Sequence, residues 1–156
     1  MAKRRVHRDD RVPPTAQTVA NLAPVYAVLL RQGQPNEVEL ELACDEIQLV
    51  YEAITRCRSQ SFAGTDHGQA GDPLSRMTAH EETLWRFRYR PWAHIMASHR
   101  IGATRQPQPT QLQLTHDLVC DNRSPASIAV MRGVGPNAVK TLVLDALNEY
   151  LRIVRR

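Results

Sequence analysis

The chain has 156 residues, including two Trp, four Tyr and two Phe, and its 20 Lys and Arg against 16 Asp and Glu leave a net charge of +4. This length suits one domain or two small helical lobes with modest cores. No apolar run approaches the roughly 18 residues of a membrane span, and Cys44, Cys57 and Cys120 lie too far apart for a CxxC pair, so we expect a cytoplasmic protein with reduced thiols.

Charge is unevenly distributed along the chain. Residues 1–14 contain five basic and two acidic side chains, residues 36–58 carry a net charge of −4, and residues 84–105 contain five arginines and no acid. Such separation is typical of proteins that bind nucleic acid or an acidic protein surface. Each cluster also fits an ordinary solvated surface, so the charge pattern alone leaves both interpretations open.

The N-terminal segment is predicted to be a basic arm followed by short helices. Residues 1–14 lack an apolar period, which predicts a flexible arm, and Lys3, Arg4 and Arg5 in it are candidate contacts to a polyanionic partner. A short helix is expected over residues 15–22. A second should run from Pro24 to Gly33, because proline suits a first helical turn and glycine ends a helix.

A long acidic helix is predicted next. Asn36 and Glu39 have the spacing of a capping box in an Asn variant, and apolar residues then repeat at helical spacing as far as about Arg58. This helix is expected to serve as a scaffold or a protein-docking face. Residues 59–73 are small, polar and rich in glycine, which predicts a loop of unusual length for a compact domain.

The stretch "LWRFRYRPWAH" alternates aromatic and basic residues. Thr78 and Glu81 form a second capping box shortly before it, so the stretch is predicted to be the first turns of a helix and not a strand. Pro91 should kink this helix or begin a second one, because it lacks a backbone donor.

Helical geometry separates this stretch into two stripes. The apolar stripe comprises Trp85, Tyr89, Trp92 and Met96. Arg86 and Arg90 lie one turn apart on another face and are the candidate contacts to a partner. The aromatic rings are predicted to be core, and the alternative is a stacking or wedge surface for nucleic acid.

Residues 101–110 form a polar linker, a predicted hinge between a helical lobe over residues 15–100 and a second lobe over residues 111–156. In the second lobe a helix over residues 112–121 should supply three inward side chains. These are Leu114, Leu118 and Val119.

The strongest motif is a predicted helix-turn-helix, "SPASIAVMRGVGPNAVKTLVLDALNEYL". Ser124 can cap a helix that ends near Arg132, and Gly133 can take the positive dihedral angle that the turn needs. Pro136 then begins a second helix. The small Ala129 allows a close crossing over a core of Ile128, Val134 and Val139. The alternative is an ordinary helical hairpin that uses the same small residues for packing.

If the motif reads DNA, the start of its second helix should enter the major groove. Asn137, Lys140 and Thr141 are the exposed candidates there, since Asn can pair with adenine and Lys can reach guanine or a phosphate. Arg123 and Ser124 should lie near the phosphate backbone. Only one basic residue precedes Arg152 on this helix, which predicts a weak, assisted reader.

The segment "SIAVMRGVGPNAVKTLVLDAL" resembles the fourth region of sigma factors and the sigma-like ends of phage late-gene regulators. The order of "DPLSRMTAHEETLWRFRYRPWA" and this motif is similar to prophage-type regulators, including the gene transfer agent activators of the GafA and GafZ type. The resemblance implies a nucleoid-associated transcription regulator of phage-like late genes, acting in activation or antitermination. It implies DNA, RNA polymerase and a second DNA-binding regulator as partners, with Asn137, Lys140 and Thr141 as the DNA contacts. Apart from the resemblance, their charge makes Lys3, Arg4, Arg5, Arg86 and Arg90 candidate polymerase or nucleic-acid contacts.

Two other functions remain open. A small terminase subunit also uses a helix-turn-helix, to load viral DNA into a packaging motor, although such proteins usually place the DNA motif first. A pure adaptor would use the terminal lobe to bind protein and not DNA.

An enzymatic function is not expected. "HEETL" at His80 has Leu84 where a zinc-binding helix needs its second histidine, and His94 and His99 do not share a helical face. No phosphate-binding loop or activated nucleophile is recognisable. The sequence therefore predicts an all-α protein without catalytic residues, metal, cofactor or membrane span.

Overall fold

The structure, a computed structural model, describes residues 24–63, 76–102 and 107–156, with side chains described as far as Ser59 in the first range. These residues form helices, and their only strand-like feature is an isolated bridge between Arg100 and Thr110. The all-α prediction is confirmed. The basic arm with Lys3, Arg4 and Arg5, the helix over residues 15–22 and most of the glycine-rich loop lie outside the described residues.

The first two helices lie close to their predicted positions. Helix α1 is Val25–Arg31, with Pro24 before it, and helix α2 is Glu37–Ala63, which extends beyond the predicted end near Arg58. The apolar face of α2 that repeats at helical spacing is mostly buried. Its fully enclosed side chains are Leu40, Ala43, Cys44, Ile47, Val50 and Ala53.

The side chains expected to cap α2 contact the end of the chain. The Asn36 amide donates to Asn148 Oδ1 at 3.0 Å, and the Glu39 carboxylate pairs with Arg155. A capping box requires only residues three apart, whereas these contacts span more than 100 positions. Both side chains therefore also connect the start of α2 to the C-terminal part of the chain.

Helix α3 (Ala79–Leu84), a π-helical turn (Trp85–Tyr89) and helix α4 (Arg90–Ser98) follow one another without a break. The Thr78–Glu81 capping box is confirmed, because each side chain accepts from the other residue's backbone amide. Pro91 lies in the first turn of α4. Its ring would crowd the carbonyl four residues earlier and it has no amide to donate. A widened turn just before it accommodates both constraints.

The aromatic residues of this segment divide between core and surface. Trp92 is fully buried, Tyr89 and Met96 are nearly so, and Trp85 is half-buried against the core. The core prediction is therefore confirmed for Tyr89, Trp92 and Met96. Phe87 lies outside the predicted stripe and 70% of its surface is exposed.

The predicted linker has closely spaced ends. The Ile101 amide donates to the Pro109 carbonyl and the Gln111 amide donates to the His99 carbonyl, each at 2.9 Å. Residues 103–106 lie outside the described residues. The backbone bonds hold α4 directly beside the next helix, so the linker does not separate two bodies.

The C-terminal part contains helix α5 (Gln111–Thr115), a second π-helical turn (His116–Cys120), helix α6 (Pro125–Arg132) and helix α7 (Pro136–Val154). A capping box of Thr110 and Gln113 begins α5. The Thr-x-x-Gln spacing is the sequence signal for this start. Leu114, Leu118 and Val119 are fully buried, as predicted.

One hydrophobic core includes residues from both predicted lobes, in place of two separate cores. Trp92 donates its indole N–H to the Ala146 carbonyl at 2.8 Å, and Gln48 on α2 donates to the Val119 carbonyl at 2.7 Å. The apolar faces of residues 24–63 and 76–100 are buried against those of residues 111–156, because neither part alone encloses them. Helical periodicity identifies such faces but not their partners.

The cysteines fit the prediction of reduced, mostly buried thiols. Cys44 and Cys57 are buried, Cys120 is half-buried and all three are unbridged. Burial raises the pKa of the Cys44 thiol to about 12, so this group stays protonated and unreactive at neutral pH. Within the described ranges, no helix is both long and apolar enough to cross a lipid bilayer.

Candidate nucleic-acid interface

Helix α6 begins and ends as the sequence predicts. The Ser127 amide donates to Ser124 Oγ at 3.1 Å, which caps the first turn, and Pro125 occupies the first helical position. Gly133 ends the helix in the left-handed region with φ +67°. The Val134 amide then donates back to the Ala129 carbonyl at 3.1 Å, the closing bond of a Schellman motif.

The turn Gly133–Gly135 leads directly into α7, so α6 and α7 form the predicted helix-turn-helix. Ile128 and Val139 are fully buried between the two helices, Ala129 is nearly so, and Val134 is half-buried. This is the small core that the residue spacing predicted. Most of the inward face of α7 is buried, and its members are Val143, Ala146, Leu147, Tyr150 and Leu151.

A partly buried ion pair attaches α6 to the second π-helical turn. The Asp117 carboxylate accepts from Arg132 Nε at 2.8 Å and Arg132 Nη2 at 3.1 Å, and the Asp117 carbonyl accepts from the Arg123 amide at 2.9 Å. The bidentate geometry orients the first motif helix. The same pair occupies the Arg132 guanidinium, so Arg132 is not a free base beside the turn. Sequence reasoning missed this pair, since no local spacing rule connects positions 15 apart.

The residues predicted to read DNA lie together on the surface. Asn137, Lys140 and Thr141 are exposed on the first two turns of α7, and their spacing places them on one helical face. The Thr141 hydroxyl donates to the Asn137 carbonyl at 3.1 Å, which fixes its rotamer. Arg123 is exposed and Ser124 is half-buried at the start of α6.

The start of α7 presents unpaired backbone donors. Gly135 occupies the N-cap position and has no side chain to bond them, and Pro136 follows it. The amides of the first turn have no acceptor within the helix. They point along the positive end of the helix dipole, which favours a phosphate or another anion.

Only the beginning of the candidate face is open. Leu144 is half-buried one turn after Lys140, and further along the face Asn148 Oδ1 accepts from Asn36. A groove of about 420 Å³ separates α1 from Lys140, with Gln32 and Gln34 on its α1 side. The position of α1 beside this face could not be predicted from the sequence. It restricts contact with a ligand to the first two turns of α7.

Arg86 and Arg90 belong to a second surface, on the π-helical turn and α4. Arg86 is exposed and pairs with Glu82 at 2.7 Å, while the Arg90 guanidinium lies 5.3 Å from the centre of the Trp85 ring. Exposed contacts of this kind are weak and can exchange for a partner's groups. Both guanidinium groups therefore have an intramolecular contact but remain accessible to a partner.

A buried polar cluster underlies this second surface. His116 Nε2 lies 2.9 Å from the Tyr89 hydroxyl, and the Tyr51 ring lies 4.8 Å from the imidazole. Burial lowers the pKa of His116 to about 4, so the ring is neutral at physiological pH. The Tyr150 hydroxyl donates to Glu46 at 2.8 Å, and Arg88 pairs with the same carboxylate. These contacts satisfy buried polar groups.

The three histidines weighed as metal ligands, His80, His94 and His99, are all exposed. Among the residues that the structure describes, no group of three His, Cys, Asp or Glu side chains could hold a metal ion.

Comparisons with family models, curated proteins and solved structures found no significant match. The helix-turn-helix and its exposed side chains are therefore the features that point to a function.

Proposed function

We propose that this protein is a transcription regulator that binds DNA weakly through the start of α7 and associates with RNA polymerase. One observation carries the DNA-binding part: Asn137, Lys140 and Thr141 are exposed together on the first two turns of a helix whose opposite face is buried. In helix-turn-helix proteins the second helix contacts base edges with its N-terminal residues. The buried face would then hold this helix rigidly at the DNA.

The chemistry of these side chains suits a major groove. The Asn137 amide can donate to and accept from adenine, and the Lys140 ammonium can reach guanine or a phosphate. Arg123 and the amides at the start of α7 are placed to contact the phosphate backbone. In the proposed complex Ser124 holds α6 in register by capping it and offers its hydroxyl to a phosphate.

The affinity of this surface for DNA should be low. Lys140 is the only base on the open part of α7, and Arg132 is engaged by Asp117. Each phosphate contact contributes to affinity and to its salt dependence, so a surface with few bases needs a second attachment. Arg86, Arg90 and the acidic helix α2 supply the polymerase-facing surface in this proposal, which the resemblance to sigma-like regulators supports.

Titration of the whole protein with double-stranded DNA at several salt concentrations tests the DNA-binding part. Lys140→Ala should weaken binding and reduce the slope of log affinity against log salt by about one. Arg152→Ala is the matched control, because Arg152 is an exposed base on the same helix that pairs with Glu149 at 2.9 Å. Absence of DNA affinity even at low salt would favour a pure adaptor instead.

Co-purification tests the polymerase part. The tagged protein should recover polymerase subunits from cells that express the late operon, and Arg86→Ala with Arg90→Ala should reduce that recovery without unfolding the protein. Recovery without polymerase would count against the proposal. Mass measurement in solution separates the alternative, since a ring of many subunits would favour a small terminase.

A further inference from the structure

The groove between α1 and Lys140 has the size of a small-molecule site. Its volume is about 420 Å³, and such sites in proteins typically enclose roughly 300–1,000 Å³. Three parts of the chain line it: α1 with the residues just after it, the start of α6, and α7. Lys140 is the one member of this lining that the proposed function uses.

The walls of this groove are mainly apolar. The apolar and aromatic side chains that line it are Tyr26, Leu29, Leu30, Pro125 and Leu144. Leu29 is 58% exposed, although Ala27 and Leu30 of the same helix are buried. An apolar side chain left in water beside other apolar groups gains free energy when a ligand covers it. The apolar part of a ligand would therefore lie against α1.

Contacts outside the groove hold its α1 wall in place. At the start of α1, the Tyr26 amide donates to Asn122 Oδ1 at 3.3 Å, close to the start of α6. At the end of α1, Arg31 pairs with Glu41 of α2 at 3.3 Å. The groove is therefore formed before a ligand arrives, which lowers the entropic cost of binding.

Lys140 gives the groove an unbalanced positive charge. The described residues that line the groove include no carboxylate. One helical turn before and after Lys140, where a paired acid would lie, α7 carries only uncharged residues. These are Pro136, Asn137, Val143 and Leu144. Within the part of the chain that the structure describes, Lys140 forms no ion pair. The ammonium group is therefore available to an anionic ligand.

We propose that this groove binds a small organic anion with an apolar body. The body would cover Leu29 and Leu144, and the anionic group would pair with the Lys140 ammonium. The side-chain amides of Gln32 and Gln34, which also line the groove, can donate to the same group. Nucleic acid is a poorer match for the groove itself, because its phosphates and base edges need polar partners that the apolar walls do not offer.

Such a ligand would compete with DNA for Lys140. The ammonium group cannot pair fully with the ligand and contact a base or phosphate at the same time. Each ligand should therefore lower the affinity for the other by the same factor. This competition rests on the proposed function, whereas binding of the anion in the groove does not.

Fluorescence titration with two matched probes tests the inference on the whole protein. Anilinonaphthalene sulfonate has an apolar body and a negative charge, and phenylnaphthylamine has the same rings without the sulfonate. Lys140→Met removes the charge but keeps an apolar stem, Lys140→Arg keeps the charge, and Leu29→Ser changes the wall. Arg152→Met and Val38→Ser are the matched controls, because both side chains are exposed outside the groove. Thermal melts check that all five variants remain folded.

The sulfonate should bind about fivefold more tightly than the uncharged probe, as expected for one partly exposed ion pair. Lys140→Met should remove this difference by weakening only the sulfonate, and Lys140→Arg should preserve it. Leu29→Ser should weaken both probes about threefold, and the controls should bind them like the unmodified protein. Equal affinity for the two probes, no measurable binding, or a preference for the sulfonate that survives Lys140→Met would overturn the inference.

Two further measurements address other occupants of the groove. A dimer in solution that Leu29→Ser converts to a monomer would assign the groove to a second copy of the chain. A labelled helical peptide with leucines along one face and glutamates beside them represents a partner protein. If it bound more tightly than the sulfonate and lost that affinity in Leu29→Ser, the groove would belong to a protein segment. Either result would overturn the inference.

Titration with double-stranded DNA separates this inference from the proposed function. A saturating concentration of the sulfonate should lower the DNA affinity about fivefold, and DNA should lower the sulfonate affinity by the same factor. Probe binding that prefers the sulfonate, in a protein without DNA affinity, would reject the DNA-reading function and retain the anion site. DNA binding without that preference would do the opposite. Binding of both without mutual effect would overturn the competition for Lys140.

Discussion

Among single residues, Trp92 connects α4 to α7. Its ring is fully buried, meets Tyr150 edge-on with ring centres 5.6 Å apart, and bonds the Ala146 carbonyl. Trp92→Ala removes the ring and this hydrogen bond together. We expect the free energy of unfolding to fall by about 3–5 kcal/mol, measured by urea denaturation.

Phe87→Ala provides the control for that measurement. Phe87 is also aromatic and belongs to the same helical segment, but most of its surface is exposed. Its loss should change the free energy of unfolding by no more than about 0.5 kcal/mol. Equal destabilisation by the two substitutions would show that burial of the Trp92 ring is not the cause.

His116 makes the stability of the protein depend on pH. Burial lowers its pKa from the ordinary 6.5 to about 4, and the nearby Asp117 carboxylate opposes this only in part. Between these two pH values the unfolded state binds more protons than the folded state. The contribution of the neutral His116 to the free energy of unfolding is therefore fully present above pH 6.5 and falls as the pH drops toward 4. From about pH 7 to pH 5 the loss should be about 2 kcal/mol.

Comparison with His116→Gln isolates this contribution. Urea midpoints at the two pH values should differ less in the variant, because its side chain does not titrate. The lowered pKa of Glu81, which arises mainly from its bond with the Thr78 backbone, affects stability only at more acidic pH. An identical pH dependence in the two proteins would contradict the burial of a neutral His116.

At the scale of the elements, the turn between α6 and α7 depends on one backbone conformation. Gly133 has φ +67°, and a Cβ added there would meet no atom within 4 Å. Gly133→Ala should therefore cost about 1–2 kcal/mol from backbone strain alone. Thermal or urea unfolding measures the cost.

Gly135 is the matched control on the other side of the same turn. Its φ is −67°, a value that alanine adopts readily, and a Cβ there also meets no neighbour. Gly135→Ala should cost less than Gly133→Ala, because it loses only the preference for glycine over alanine at an N-cap. A similar loss in both variants would indicate that the turn needs small residues for some reason other than the dihedral angle of Gly133.

At the scale of the whole molecule, the helix-turn-helix depends on the helices before it. The buried face of α7 contacts Trp92, and the Tyr150 hydroxyl bonds Glu46 on α2. A fragment of residues 111–156 would expose this face to water. We expect it not to unfold cooperatively, in contrast to the full chain, when followed by circular dichroism and NMR. A dispersed spectrum with a sharp melt would show that the C-terminal lobe is independent after all.

The sequence by itself determined the local features. The caps at Thr78 and Ser124, the left-handed Gly133 and the buried face of α7 each depend on residues within about four positions of one another. The exposure of Asn137, Lys140 and Thr141 followed from the same periodicity. These features could be predicted because a helix places its neighbours at fixed distances, whatever the rest of the chain does.

The tertiary structure alone decided which faces meet. The Asp117–Arg132 pair and the placement of α1 beside Lys140 join segments whose docking no short-range rule specifies. The single core could not be predicted for the same reason. Apolar burial is non-directional, and many pairings of helical faces satisfy it. Only the packed chain shows that Arg132 is paired with Asp117 whereas Lys140 is exposed, and this difference defines the candidate interface.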